Sequence, residues 1–207
     1  MTRSAHPGSG SSYHHGNLRK ALLDAAVIAI REQGAENLSL RAVARKVGVS
    51  QTAPYRHFAD KNDLLVELAR QTFDEITATT SAGISAARSA AENLQCAGEA
   101  YLRYAIANPE KYRLIFGNSI ANRHNYPQLL ESGQRSFNVL LDLIDQGIAR
   151  GEFLQRHPML LANVCWSSIH GFASLCIDGI FARREQPADL NTMIAMQTGM
   201  TLRAIAV

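Results

Sequence analysis

Cysteine is scarce in this 207-residue chain: Cys96, Cys165 and Cys176 form an odd, widely spaced set. Such a set argues against a disulfide-stapled secreted domain and fits a reducing cytosol. No apolar run follows the basic start, which argues against a signal peptide. Charged residues are only 19% of the chain against 46% apolar, a balance that excludes a disordered chain and leaves enough to fill a core. No segment alternates apolar and polar residues over strand length, so no sheet is expected. The length admits one large domain or two small ones.

Neither sign of charge dominates, since 21 Lys and Arg face 18 Asp and Glu for a net of +3. The distribution is uneven. Residues 1–62 carry nine basic against four acidic residues, a net of +5, whereas residues 63–207 carry twelve against fourteen, a net of −2. A basic head on a mildly acidic body points to a head that meets a polyanion.

Helical spacing fills most of the chain. Residues 1–16, rich in Ser, Gly and His and without periodicity, read as a flexible tail. His14 and His15 have no carboxylate or cysteine close by and read as solvated rather than metal-binding. From Asn17, the stripe Leu18, Leu22, Ala25, Ala26 and Ala29 makes a first helix that Gly34 ends. Ser39 caps a second, short helix whose Leu40, Val43, Ala44 and Val47 fall at i, i+3, i+4 and i+7, before Gly48 breaks it. Ser50 caps a third short helix ending near Phe58. Asp60 opens a long fourth helix, with Asp63 supporting its first turn. Further helices are expected at 86–107, 109–116, 127–150, 158–181 and 188–205, giving an all-α fold. The expected division is a tail at 1–16, a head at 17–62 and a body at 63–207.

Two short helices joined by Gly48-Val49-Ser50 have the layout of a helix-turn-helix. Small Ala44 suits the close helix crossing, Gly48 suits a turn with positive φ, and Ser50 can offer its hydroxyl to the next helix. With Phe58 returning to the core, Gln51, Thr52, Tyr55 and Arg56 are left outward. The N-terminal end of such a recognition helix enters the major groove, placing Gln51, Thr52 and Arg56 within reach of base edges.

Residues 38–61, LSLRAVARKVGVSQTAPYRHFADK, followed by Leu64 and Leu65, resemble the DNA-binding domain of TetR-type transcriptional regulators, and the resemblance extends over 17–65. It implies that Tyr55, His57 and Lys61 touch phosphates, the last aided by the dipole of its helix, with Ser39 and Arg41 as further phosphate contacts. Gln51 and Thr52 are then the base readers, and Arg56 serves either role. The departure is Pro54, where the family carries an aliphatic residue. It lacks the N–H for the first helical bond to Ser50, so the third helix is expected to start later or to bend.

In the body, residues 159–182 hold one acidic residue, Asp178, and no Lys or Arg. Asn163, Ser167, Ser168, His170 and Asp178 make this a poor membrane span. Three uncharged faces are more than one bundle covers, so a partner is expected there, with Ser167, Gly171 and Ser174 as the small stripe of a homodimer interface formed by 158–181 and 188–205. NPEKYRLIF at 108–116 and WSSIHG at 166–171 resemble a TetR subgroup whose C-terminal domain has a Trp-His-Gly signature. A pocket for a small-molecule effector is expected among Tyr101, Tyr104, Phe116, Trp166 and His170, and an ordinary aromatic core is the competing reading of the same residues. The resemblance further implies that a ligand tilts the fourth helix, 61–80, and changes the separation of the two heads.

The reading is a cytoplasmic repressor that binds a palindromic operator in double-stranded DNA as a homodimer and is released by an effector. No catalytic residue, cofactor, metal or membrane is expected. A sequence-indifferent architectural DNA binder is the first alternative, though a body longer than the head counts against it. A helical enzyme using the C-terminal pocket is the second, but Cys165 and His170, five positions apart on one helix, point in different directions and lack a third orienting group.

Overall fold

A computed structural model describes residues 15–183 and 188–207, so most of the tail expected at 1–16 lies outside the described residues. The described residues form eight α-helices and no strand. Pairing beyond the helices includes one antiparallel bridge, Phe153 with Ala206. The all-α expectation holds. The chain divides into a unit ending at Leu64 and a second unit from Leu65 to Val207.

In the first unit, α1 (His15–Gln33) buries Leu22, Leu23, Ala26 and Ala29, and α2 (Leu40–Val47) buries Leu40, Val43 and Ala44. The Ser39 hydroxyl accepts a bond from the amide of Ala42, so the expected cap is present. Gly48 ends α2 at φ 78°, its amide donating to the Arg45 carbonyl while Val49 donates to Ala44, the paired bonds of a Schellman turn. Helix α3 (Lys61–Ser81) is opened by Asp60, which accepts from the Asp63 amide at 2.8 Å, while the Asp63 carboxylate accepts from Ala59 at 2.9 Å.

The third segment differs from the expectation of a helix from Ser50 to Phe58. The backbone makes a 3₁₀ turn over Ala53–Arg56, with Pro54 at its start and buried. Ala53 donates to Ser50, Tyr55 to Thr52 and His57 to Pro54, each three residues back. Pro54 has no N–H to complete the longer α-helical bond to Ser50, so the tighter pattern wins. Ser50 does not cap this turn; its hydroxyl lies 3.2 Å from that of Thr52.

The second unit packs α4 (Ala90–Ala107), α6 (Pro127–Ala149), α7 (Pro158–Ile177) and α8 (Leu190–Arg203), with α5 (Pro109–Phe116) between α4 and α6 in the chain. Helix α4 starts four residues later than expected because Ser89 and Glu92 form a capping box, reinforced by Glu152 accepting from the amides of Ala90 and Ala91. Helix α7 stops at Ile177 rather than 181, since Gly179 at φ 68° turns the chain out of the helix. One core holds Leu94, Leu143, Ile144, Phe153, Leu161 and Ile205, and a second holds Leu102, Ala105, Tyr112, Phe172, Ala173 and Ile194.

Candidate nucleic-acid interface and body cavity

The turn after Gly48 presents Gln51, Thr52, Tyr55 and Arg56 together on the surface, with Tyr55 51% exposed. The anchoring is apolar: Pro54 and Phe58 are buried beneath, and the Arg19 guanidinium lies 5.4 Å over the Phe58 ring. Ser39 and Arg41, at the start of α2, are exposed, whereas His57 and Lys61 are half-buried. Lys61 donates to the Glu36 carbonyl at 2.5 Å, so in the free protein its ammonium clamps the α1–α2 connection. Lys46 pairs with Glu32 and Lys20 with Asp24, while among the described residues Arg41, Arg45 and Arg56 enter no ion pair. A surface with free guanidiniums, a phenol and short polar side chains has the groups needed to hold phosphates and read base edges.

In the second unit, two adjoining cavities of about 70 and 210 Å³ share Tyr101, Ser136, Leu140 and Trp166 in their walls. Of the five expected pocket residues, Tyr101, Phe116 and Trp166 line this space. Tyr104 is turned elsewhere: its hydroxyl donates to Glu75 at 2.6 Å, and Lys111 binds the same carboxylate. His170 stands behind the wall, its ring 4.7 Å from Phe116 and 5.4 Å from Trp166. Sequence reasoning missed Tyr112, whose hydroxyl lies 3.1 Å from that of Tyr101 and 2.6 Å from Nδ1 of His170. It also missed Phe73, Ile76 and Phe137, which line the larger cavity. The aromatic spacing of Tyr112 and Phe116, four apart on α5, was the available signal for the first.

Burial pushes the phenols of Tyr101 and Tyr112 up and the imidazole of His170 down, so all three stay neutral near pH 7. Burial raises Tyr104 too, reinforced by its bond to Glu75. The thiol of Cys165, in the wall of the smaller cavity, is pushed up to about 11 by burial, which keeps it protonated and unsuited to act as a nucleophile. Among the described residues no three His, Cys, Asp or Glu side chains gather to hold a metal ion.

On α7, Leu160 and Val164 are 55% and 47% exposed, and Leu175 is exposed on the same side. Ser167 is exposed as well, and a Cβ built on Gly171 would meet nothing within 4 Å. Ser174 is half-buried and donates to the His170 carbonyl. Helix α7 is long and apolar enough to cross a membrane by length and composition.

A helix-turn-helix with an outward polar and basic turn, joined in one chain to a helical body with an apolar cavity, defines the class of helix-turn-helix regulatory proteins. The chain belongs to the TetR family: residues 22–68 match the bacterial regulatory proteins of the tetR family, and residues 94–198 match the tetracyclin repressor-like C-terminal domain. It is 34% identical over 111 residues to an uncharacterized HTH-type transcriptional regulator, Rv0472c, of Mycobacterium tuberculosis, a match covering 53% of this chain and 47% of that protein. The chain thus spans about half the length of the curated relatives it first matches. Its fold is similar to that of a protein of unknown function from Rhodococcus sp. RHA1, at a TM-score of 0.79 and 27% identity over 96% of this chain and 100% of that one. The fold is also similar to that of the TetR family transcriptional regulator PfmR from Thermus thermophilus, at a TM-score of 0.71 and 20% identity over 88% and 97% of the two chains.

Proposed function

We propose that this chain is a cytoplasmic DNA-binding transcriptional regulator that works as a homodimer, a repressor released from a palindromic operator by a small-molecule effector. The observation that carries the reading is the exposed set Gln51, Thr52, Tyr55 and Arg56 on the turn after α2, beside the unpaired Arg41 and Arg45. In this reading Gln51 and Thr52 read bases. Tyr55, His57 and Lys61 hold phosphates with Ser39 and Arg41, and Arg56 does either.

The exposed apolar row on α7 supports a second copy as the partner, with Ser167, Gly171 and Ser174 letting the helices approach closely. Exposed Met196 and Met200 extend that surface onto α8. A two-fold dimer places two reading turns about 34 Å apart, one helical repeat of DNA. Covering this row from a second copy also accounts for the apolar character of α7 without a membrane. Trp166, His170 and Gly171 support reading the body as one of the subgroup with a Trp-His-Gly signature. The effector occupies the cavity walled by Tyr101, Phe116 and Trp166, where it bears on Phe73 and Ile76 of α3, the helix that starts at Lys61. The domain limits in this reading are 17–62 for the head and 63–207 for the body.

Gel shift of the full chain against genomic fragments, in rising salt and with excess non-specific DNA, tests the reading. A few fragments carrying palindromes are retained to higher salt than the rest. Equal retention of all fragments would instead mark an architectural binder.

A further inference from the structure

Every residue in the walls of the two cavities is uncharged. Of the polar side chains, the hydroxyls of Thr80, Thr198 and Thr201 are already committed to the carbonyls of Ile76, Ile194 and Gln197 on their own helices. The residues common to both cavities are different: Tyr101, Ser136 and Trp166 bring two hydroxyls and an indole N–H to the place where the cavities adjoin. Beyond that junction the larger cavity runs to Phe73, Ile76 and Phe137, and the smaller to Leu94, Leu143 and Ile169. The space therefore has two apolar lobes and a neutral polar waist.

The waist is also fixed. The Tyr101 and Tyr112 hydroxyls are hydrogen-bonded at 3.1 Å, and the Tyr112 hydroxyl is hydrogen-bonded to Nδ1 of His170 at 2.6 Å. Nothing at this waist compensates a buried carboxylate, phosphate or ammonium, and burying such a charge without a partner is costly.

We propose that the effector is an uncharged molecule with two apolar arms and one hydrogen-bonding group between them, seated at Tyr101 and Ser136. The inference rests on the reading of the body as a small-molecule sensor and narrows the chemistry of what it senses. The central hydrogen-bonding group meets the hydroxyls of Tyr101 and Ser136, and the arms fill the lobes.

N-phenyl-naphthylamine is a suitable probe, because its single N–H lies between two aromatic arms. Anilinonaphthalene sulfonate has the same skeleton with one added negative charge. Trp166 is the only tryptophan in the chain and stands in the cavity wall, so energy transfer from it to either probe reports occupancy. In titrations of the full chain, the neutral amine is expected to bind saturably with transfer from Trp166, and the sulfonate at least about a hundredfold more weakly. Combining Tyr101→Phe with Ser136→Ala weakens the amine about tenfold. Thermal melts establish that this variant is folded.

Equal or tighter binding of the sulfonate, or saturable amine binding with no transfer from Trp166, overturns the inference. So does absence of amine binding, or an unchanged affinity in the folded double variant. Operator gel shifts on the same preparation separate the two failures. Loss of specific DNA binding refutes the proposed function, whereas specific DNA binding with the wrong probe preference refutes only the neutral-ligand inference.

Discussion

The Tyr112 hydroxyl lies 2.6 Å from Nδ1 of His170, joining α5 to α7 across 58 residues of sequence. Burial disfavours the imidazolium and holds the His170 pKa below its ordinary value. The unfolded chain therefore takes up the proton more readily than the folded one. The stabilisation is complete above the unfolded value of about 6.5 and is lost as pH falls from there toward the lower folded value. The melting temperature is expected to drop as pH falls below about 6.5, and to drop less in His170→Asn, which keeps a hydrogen-bonding group but does not titrate. Parallel pH profiles for the two proteins would assign the loss to other histidines.

Two glycines test two different constraints. A Cβ on Gly147 would lie 2.0 Å from a ring carbon of Phe153, which is fully buried. Gly147→Ala must displace that ring, at a cost of about 1–3 kcal/mol or more. Gly48→Ala meets nothing within 4 Å but must hold φ near 78°, at a cost of about 1 kcal/mol. Urea melts followed by circular dichroism should rank Gly147→Ala as the more damaging. The reverse order would mean that Phe153 relocates freely.

Much of this architecture was legible because local signals agree with packing. Asn108 and Pro109 fix the start of α5 where it was expected, and Leu40, Val43 and Ala44 form the buried stripe of α2. The start of α4 was misread because Ala86 and Ala87 favour helix, while the Ser89–Glu92 box, equally visible as Ser-x-x-Glu, stops it more strongly. Pro54 signalled a disturbed third helix, and its missing N–H favours the 3₁₀ turn that replaces it. Tyr101, Phe116 and Trp166 stand in the cavity walls, but helical periodicity tells only which face of its own helix a residue occupies. It could not tell that Tyr104 turns to Glu75, or that Tyr112 bridges Tyr101 and His170, because those bonds join distant segments.

The exposed turn allows base reading and phosphate binding to be separated by mutation. Gln51 is exposed, so Gln51→Ala leaves the fold intact and should relax preference at one base pair by about 1–3 kcal/mol. Tyr55→Phe removes only a hydroxyl from a side chain that is 51% exposed, and should weaken all sequences alike. Lys61→Ala should do the same and reduce the salt slope by about one unit. Gel shifts against an operator and its single-base variants, at several salt concentrations, measure both. A Tyr55→Phe protein that changes base preference would reverse the assigned roles.

The exposed row on α7 makes the most direct prediction about assembly. Val164 is 47% exposed and lies one turn from Leu160, which is 55% exposed. A single charge there costs the isolated chain little, since the side chain already faces water. Buried against a second copy, the charge would meet its own image across a two-fold axis, with both copies desolvated and repelling. Val164→Asp is therefore expected to sediment as a folded monomer under conditions where the unsubstituted chain sediments as a dimer. Specific DNA retention should fall with it, because one reading turn cannot span both half-sites of a palindrome. An undisturbed dimer in Val164→Asp would move the interface away from this face of α7.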